Sequence, residues 1–251
     1  MRGSNSDRAV EGRKRQMNNP SPFSLRRLLP PLITFTSLVS GFSAVVLVGY
    51  EELAPASICI LLSNLLDGLD GGLARRLGVA STFGLQLDSL VDVVAFGMAP
   101  SMLVYQHLRR FAYGPMVMWI VCVAYMIGGV FRLARFNLLP PKQSHSDTVG
   151  LTISVSGGIL ALSVLSDQSH DRQLIPAGVF PVLMVILTLL MVSRIRYPAL
   201  ASILRRRWLS LPGLGVAAVL SIWFSPQVVW LGLIGCYVSF GIVRAACKLL
   251  V

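Results

Sequence analysis

The sequence predicts an all-α fold, a polytopic membrane bundle of six to eight transmembrane helices. Hydrophobic residues make up 54% of the chain and charged residues only 13%, and the mean hydropathy is +0.69. Apolar segments of membrane-spanning length recur between short polar loops. The net charge of +11 is spread over those loops and is not interleaved with aromatic side chains, so a nucleic-acid-binding protein is not favoured.

Eight apolar segments are candidates for spans of a hydrocarbon layer about 30 Å thick. Residues 1–22 are polar and basic and lack the apolar core of a signal peptide, so we predict a disordered cytoplasmic tail there. Residues 23–251 then form one membrane domain. The predicted spans are Pro31–Tyr50, Leu53–Arg75, Phe83–His107, Ala112–Phe131, Val149–Leu165, Leu174–Ser193, Leu209–Phe224 and Val228–Lys248.

The basic residues predict the orientation of these spans. With the N-terminus in the cytoplasm, 19 of the 22 lysines and arginines fall in the cytoplasmic tail, loops and helix ends. Only Arg109, Arg110 and Arg172 remain outside. The positive-inside rule therefore predicts a multi-pass protein of the cell (inner) membrane with a cytoplasmic N-terminus.

Four aspartates interrupt the second and third apolar segments. Asp67 and Asp70 are three residues apart, and Asp88 and Asp92 are four apart, so each pair projects from one face of its helix. At 1.5 Å per residue, both pairs lie roughly 8–15 Å from the same cytoplasmic surface. Carboxylates so close together would not all ionise without cations. Such clusters bind hard divalent cations through oxygen.

Small residues accompany each pair, since Gly71 and Ala74 continue the Asp67 face and Gly84 lies one turn before Asp88. These positions leave room for a ligand. The alternative is that the four aspartates are exposed loop acids, or are paired in intramembrane salt bridges with Arg75 and Arg76. Acids inside apolar segments are costly and usually functional, which favours the ligand site.

The spacing of these residues, D-x2-D-G-x2-A-R-x8-G-x3-D-x3-D, resembles the signature of the CDP-alcohol phosphotransferase family, and every fixed position is present in residues 67–92. The surrounding segments, Leu87–Leu90, Phe96–Pro100 and Arg132–Asn137, resemble the phosphatidylserine synthase branch. The resemblance covers roughly Leu29 to Gly158.

The resemblance implies a membrane enzyme that transfers a phosphatidyl group from CDP-diacylglycerol to L-serine and releases CMP. It implies two divalent ions, Mg²⁺ or Mn²⁺, held by three or four of the aspartates, with Asp67, Asp70 and Asp88 mainly on metal and Asp92 as the base. It also implies that CDP-lipid binding involves Thr34, Gly71, Ala74, Arg75 and Gly84, and that the protein is a homodimer.

The sequence departs from the family pattern at two places. The first helix carries Pro30–Thr34 without the usual asparagine, and the segment Gly150–Ser154 lacks two prolines typical of the branch. The second departure weakens the assignment of serine as acceptor. Arg132, Arg135 and Asn137 are candidates for acceptor or phosphate binding, with simple cytoplasmic-end charges as the alternative for the two arginines.

Two other functions stay open on the sequence. The same chemistry could use another acceptor, such as glycerol 3-phosphate or an inositol phosphate, because Arg132 and Arg135 could bind its phosphate. Alternatively, the acids could line a path for divalent cations. A transporter typically shows acids at the midplane and internal repeats, and the sequence shows neither. Transport would also leave the Gly71–Arg75 element unexplained.

Overall fold

Seven helices and one two-stranded ribbon make up the part of the chain described by the computed structural model, which comprises residues 25–79, 81–111, 114–138, 147–168, 175–198 and 226–249. The helices are α1 (Leu25–Gly49), α2 (Leu53–Leu77), α3 (Thr82–Leu108), α4 (Pro115–Asn137), α5 (Ile153–Gln168), α6 (Val179–Val192) and α7 (Pro226–Leu249). The antiparallel strands are β1 (Asp147–Val149) and β2 (Arg196–Pro198).

The predicted fold class, a helical membrane bundle, is confirmed. Four helices are long and apolar enough to cross a membrane: Leu29–Gly49, Leu53–Ala74, Thr82–Leu108 and Pro115–Asn137. Three shorter apolar helices accompany them: Ile153–Gln168, Val179–Val192 and Val229–Gly241. The predicted span Leu209–Phe224 and the predicted tail, residues 1–22, lie outside the described residues.

Several helix boundaries differ from the predicted spans by a few residues, and two of these differences affect the site. The fourth helix continues past Phe131 to Asn137, so Arg132 lies within the helix, buried near acidic side chains. The fifth helix begins at Ile153 and not at Val149. Gly150 has a φ of +80°, a left-handed conformation that cannot continue a right-handed helix. Val149 instead pairs with Arg196 in the ribbon.

Helices α1 and α2 pack along their length through small polar residues. The Ser37 and Ser63 hydroxyl oxygens are 2.7 Å apart, and Ser40 donates to the Cys59 carbonyl at 2.8 Å. Interhelical hydrogen bonds of this kind hold membrane helices together where lipid provides no hydrophobic driving force. Thr34 on α1 is thereby brought against the aspartates of α2.

Helix α3 contains a wide π-helical turn, Val93–Met98, directly after Asp92. The Ala99 N–H donates to the Val94 carbonyl, five residues back. Pro100 has no N–H, so the Phe96 carbonyl lacks its usual α-helical donor. The buried Tyr125 hydroxyl of α4 donates to that carbonyl at 3.1 Å, which ties α4 to the wide turn.

Glycines let two further helices approach the π turn closely. A Cβ on Gly41 of α1 would lie 2.7 Å from the Ala95 Cβ, and a Cβ on Gly157 of α5 would lie 3.2 Å from the Phe96 backbone. Larger residues at these positions would push α1 or α5 away. The turn that follows Asp92 is therefore buried between helices α1, α4 and α5.

The helices alternate in direction, which places one set of helix ends far from the aspartates. At that end Gln106 of α3 donates to Glu51 at 2.9 Å. His107 lies 3.2 Å from Asp167 of α5 and packs against Phe180 of α6 with ring centroids 4.8 Å apart. All four aspartates of the motif lie toward the other end of the bundle, in the C-terminal part of α2 and the N-terminal part of α3.

Candidate active site

The structure brings carboxylates from α2 and α3 together. Single carboxylate oxygens of Asp67, Asp70 and Asp88 lie within 4.8 Å of one another. Asp70 is buried, with 4% of its surface exposed, and the other two are half-buried. Three carboxylates at this spacing, in a low-dielectric setting, form a set of hard oxygen donors suited to a divalent cation.

Asp92 joins this cluster from the last α-helical residue before the π turn. Its carboxyl group lies within hydrogen-bonding distance of Asp67, which also contacts Asp88. Asp92 is 7% exposed, yet its Oδ1 has no hydrogen-bond partner among the described residues. An unpartnered buried oxygen is costly, so its place beside Asp67 and Asp88 fits a site that a cation or substrate completes.

Thr34 of α1 contacts the cluster directly. Its hydroxyl lies 2.6 Å from Asp70 Oδ2 and 3.0 Å from the Pro30 carbonyl, so its single proton faces two acceptors. The short distance to the carboxylate is typical of a charge-assisted hydrogen bond. Thr34 therefore lies at the site despite the missing asparagine in the first helix.

Two contacts that were not predicted from the sequence position Asp67, one directly and one through Ser154. Ser154, in the first turn of α5, donates to Asp67 Oδ2 at 3.3 Å, and Asn64 of α2 donates to the Ser154 carbonyl at 2.7 Å. Ser154 was noted in the sequence only as a departure from the family pattern. Asn64, three residues before Asp67, had a detectable signal as a lone amide in an apolar segment.

Arg132 of α4 is the buried cation nearest the cluster among the described residues. It is 6% exposed and interacts electrostatically with Asp92 and Asp67. Its guanidinium also packs over the Phe136 ring at 5.4 Å, while its Nε has no hydrogen-bond partner among the described residues. A buried positive charge here partly offsets the carboxylates and leaves one donor for a ligand.

Arg135, one turn further along α4, points toward the backbone instead. Its guanidinium donates to the Val149 carbonyl at 3.0 Å and to the Val192 and Ser193 carbonyls at 3.0 and 3.1 Å. These last two are carbonyls at the C-terminus of α6, where a cation is favourable. Arg135 thus joins the ends of α4 and α6 to the ribbon.

Asn137 lies at the end of α4 beside the second aspartate pair. Its amide donates to the Ser89 hydroxyl at 3.0 Å, and Ser89 in turn donates to the Leu85 carbonyl at 3.0 Å. Because Ser89 follows Asp88 directly, this contact fixes the end of α4 against the segment of α3 that carries the aspartates.

The small residues in and between the fixed positions of the motif differ in their surroundings. A Cβ on Gly68 or Gly72 would meet no other atom within 4 Å, and Gly71 and Ala74 are half-buried. Gly84 donates its N–H to the Ser81 hydroxyl at 3.0 Å, which caps the start of α3. The Arg75 side chain lies outside the described part of the chain.

The chain belongs to the CDP-alcohol phosphatidyltransferase family, which its sequence matches over residues 27–245. The predicted resemblance is confirmed. The protein is therefore a membrane-embedded transferase of phosphate-containing groups.

Its relatives act in phospholipid synthesis. A CDP-diacylglycerol–serine O-phosphatidyltransferase from Helicobacter pylori is 32% identical over 225 residues, 89% of this chain and 93% of the relative. The enzyme of the same name from Bacillus subtilis is 34% identical over 171 residues, 68% of this chain and 89% of the relative. An archaetidylserine synthase from Methanothermobacter thermautotrophicus is 33% identical over 177 residues, covering 68% and 69%.

Proposed function

We propose that this protein transfers the phosphatidyl group of CDP-diacylglycerol to the hydroxyl of L-serine, giving phosphatidylserine and CMP. The observation that carries the proposal is the convergence of Asp67, Asp70 and Asp88 within 4.8 Å in a chain of this family. Asp70 lies about 10 Å from the Leu77 end of its helix, at 1.5 Å per residue. That is the depth at which the pyrophosphate of a lipid substrate lies when its acyl chains are in the bilayer.

The donor set fits divalent cations, and we assign two ions, Mg²⁺ or Mn²⁺, to the aspartates. Asp67, Asp70 and Asp88 are the main ligands, and Asp92 contributes from the buried side of the cluster. Bound cations offset the negative charge of the pyrophosphate and of the leaving CMP. The carboxylates alone would repel that substrate, so the cations and Arg132 are both needed for it to bind.

Asp92 is the general base in this proposal. Its Oδ1 has no partner among the described residues and is free to accept the proton of the serine hydroxyl. The serine oxygen forms a bond to the phosphorus that carries diacylglycerol, and the bond from that phosphorus to the CMP oxygen breaks. CMP leaves with the electron pair, and the proton remains on Asp92 until it passes to water.

The nucleotide and the acceptor occupy different sides of the cluster. CDP-lipid binding is assigned to Thr34 and to the open face of α2 and α3, with Gly71, Ala74, Arg75 and Gly84. The acceptor side is assigned to Arg132, whose Nε has no hydrogen-bond partner among the described residues and whose charge suits the serine carboxylate. Asn137 and Arg135 flank that side, and a direct role for either in acceptor binding stays a prediction.

The acceptor is tested by offering purified protein CDP-diacylglycerol with a panel of labelled alcohols: L-serine, glycerol 3-phosphate and an inositol phosphate. We expect labelled lipid with L-serine in an amount equal to the CMP released. A preference for a phosphorylated alcohol would replace serine as acceptor but keep the chemistry. Release of CMP without transfer of the phosphatidyl group to any of these acceptors would contradict the proposed transfer. So would the absence of any reaction.

We further propose that the carboxylate cluster faces the cytoplasm, because the basic residues are concentrated at the helix ends on its side. Glu52 follows α1 at the end of the bundle away from the carboxylate cluster and is exposed. Leu138 follows α4 at the end nearer the cluster and is 85% exposed. In a cysteine-free background, Glu52→Cys should react with an impermeant thiol reagent in intact cells and Leu138→Cys only after permeabilisation. The reverse pattern would invert the orientation.

We also propose, from the resemblance to the family, that the protein is a homodimer.

A further inference from the structure

The first turn of α5 lies against the carboxylate cluster, although none of its residues belongs to the aspartate motif. We infer that Ser154 is a positioning residue, which holds Asp67 in the orientation needed to bind a divalent cation. The inference rests on the proposed function, because it concerns the metal site of that function. Its direct basis is the hydrogen bond that Ser154 donates to Asp67 Oδ2 at 3.3 Å.

Asn64 fixes the backbone of Ser154. Its side-chain amide donates to the Ser154 carbonyl at 2.7 Å, and a Cβ on Gly158 would lie only 2.9 Å from that amide nitrogen. The glycine therefore leaves the space that Asn64 occupies. Asn64 and Asp67 are one turn apart on α2, so the same helix face both holds Ser154 and receives its hydroxyl.

The approach of α5 is also fixed from its other side. Gly157 packs against Phe96 in the π turn, where a Cβ would lie 3.2 Å from the Phe96 Cα, Cβ and carbonyl oxygen. The π turn directly follows Asp92. Helix α5 is consequently held between α2 and α3, the two helices that supply the aspartates, with its first turn at the cluster.

The segment that leads into α5 is held just as firmly. Gly150 donates its N–H to the Ile195 carbonyl at 2.7 Å, and Leu151 donates to Leu190 at 3.1 Å. Arg135 binds the Val149 carbonyl at 3.0 Å. Ser154 is thus presented by a fixed backbone, which is the condition under which a second-layer hydrogen bond orients a metal ligand.

The position of Ser154 at a helix N-terminus strengthens its effect on Asp67. The first backbone N–H groups of α5 have no partner within the helix, and the helix carries partial positive charge there. From this turn the Ser154 hydroxyl donates to one oxygen of Asp67, Oδ2.

The test measures Mn²⁺ binding to detergent-purified protein by the paramagnetic resonance signal of free Mn²⁺, without substrate. Ser154→Ala should weaken binding about tenfold, the lower end of the loss typical when such a supporting partner is removed. Ser156→Ala is the matched control, since the buried Ser156 hydroxyl donates to the Thr152 carbonyl just before the helix and to no other group among the described residues; its affinity should equal that of the wild type. Asp67→Asn marks the loss of the site itself.

A second pair of variants separates the hydroxyl from packing. Ser154→Thr keeps a hydroxyl and should bind Mn²⁺ within about threefold of the wild type, while the isosteric Ser154→Val should match Ser154→Ala. If Ser154→Thr and Ser154→Val bind Mn²⁺ with equal affinity, the proposed role of Ser154 is wrong. Loss of Mn²⁺ binding in Asp67→Asn would in that case still support the metal site. Equal binding by wild type and Asp67→Asn would overturn the metal site as well, and with it this inference.

Discussion

Replacement of Asp92 by asparagine is expected to reduce the single-turnover rate of phosphatidyl transfer by about 10²- to 10⁴-fold, the usual contribution of a general base. Asparagine has nearly the same shape but cannot accept the serine proton. Because Asp67, Asp70 and Asp88 remain, the variant should still bind cations and CDP-diacylglycerol. The measurement is the rate of CMP release with enzyme in excess, together with Mn²⁺-dependent binding of the lipid substrate.

The comparison with the other aspartates separates the two roles. Asp67→Asn and Asp88→Asn should lose cation and substrate binding along with turnover. Glu52→Gln, an exposed acid at the far end of the bundle, serves as control and should keep full activity. If Asp92→Asn loses cation binding as completely as Asp67→Asn, Asp92 is a ligand and the base is another group.

Removal of divalent cations is expected to reduce turnover to the level of a protein-free reaction. Four carboxylates beside a pyrophosphate repel it strongly unless cations bind between them, and the single positive charge of Arg132 offsets only part of this repulsion. Exhaustive chelation with EDTA followed by dialysis should abolish the formation of labelled lipid. Addition of Mg²⁺ or Mn²⁺ in excess should restore it.

The same experiment shows whether activity is lost because the cations are removed or because the protein unfolds. The melting temperature of the chelated protein, measured before cations are returned, should show a folded bundle, because the helices are also held by contacts at the far end, such as Gln106 with Glu51 and His107 with Asp167. Full activity after chelation would rule out the assignment of the aspartates as metal ligands.

The structural class of this protein and much of its proposed chemistry could be predicted from its sequence. Apolar segments about 20 residues long predict membrane helices without further information. The spacing of Asp67, Asp70, Asp88 and Asp92 places each pair on one helix face, because helical periodicity acts over only a few residues. A short antiparallel connection between the second and third segments then brings the pairs to the same depth. The family follows from the same residues.

The surroundings of the carboxylates were decided by the tertiary structure. Ser154 is 87 residues from Asp67, and no local pattern relates the two. Arg135 was a candidate ligand-binding residue in the sequence, but in the fold it donates to the backbone at the ends of β1 and α6. Arg132, one turn earlier, faces Asp92 and Asp67. Arg132 and Arg135 carry the same charge and lie on the same helix, but their side chains contact different neighbouring segments.

The physical reason is the range of the interactions involved. Helix formation and the position of Asp67 and Asp70 on one helix face depend on residues one or two turns apart, so the membrane helices and the acid pairs could be predicted from the sequence. Which helix touches which depends on close approach at Gly41 and Gly157, on the π turn after Asp92, and on the left-handed Gly150. Those contacts join segments that are distant in the chain, so local sequence patterns could not show that α5 supplies a hydroxyl to the cluster and that α4 supplies a buried cation.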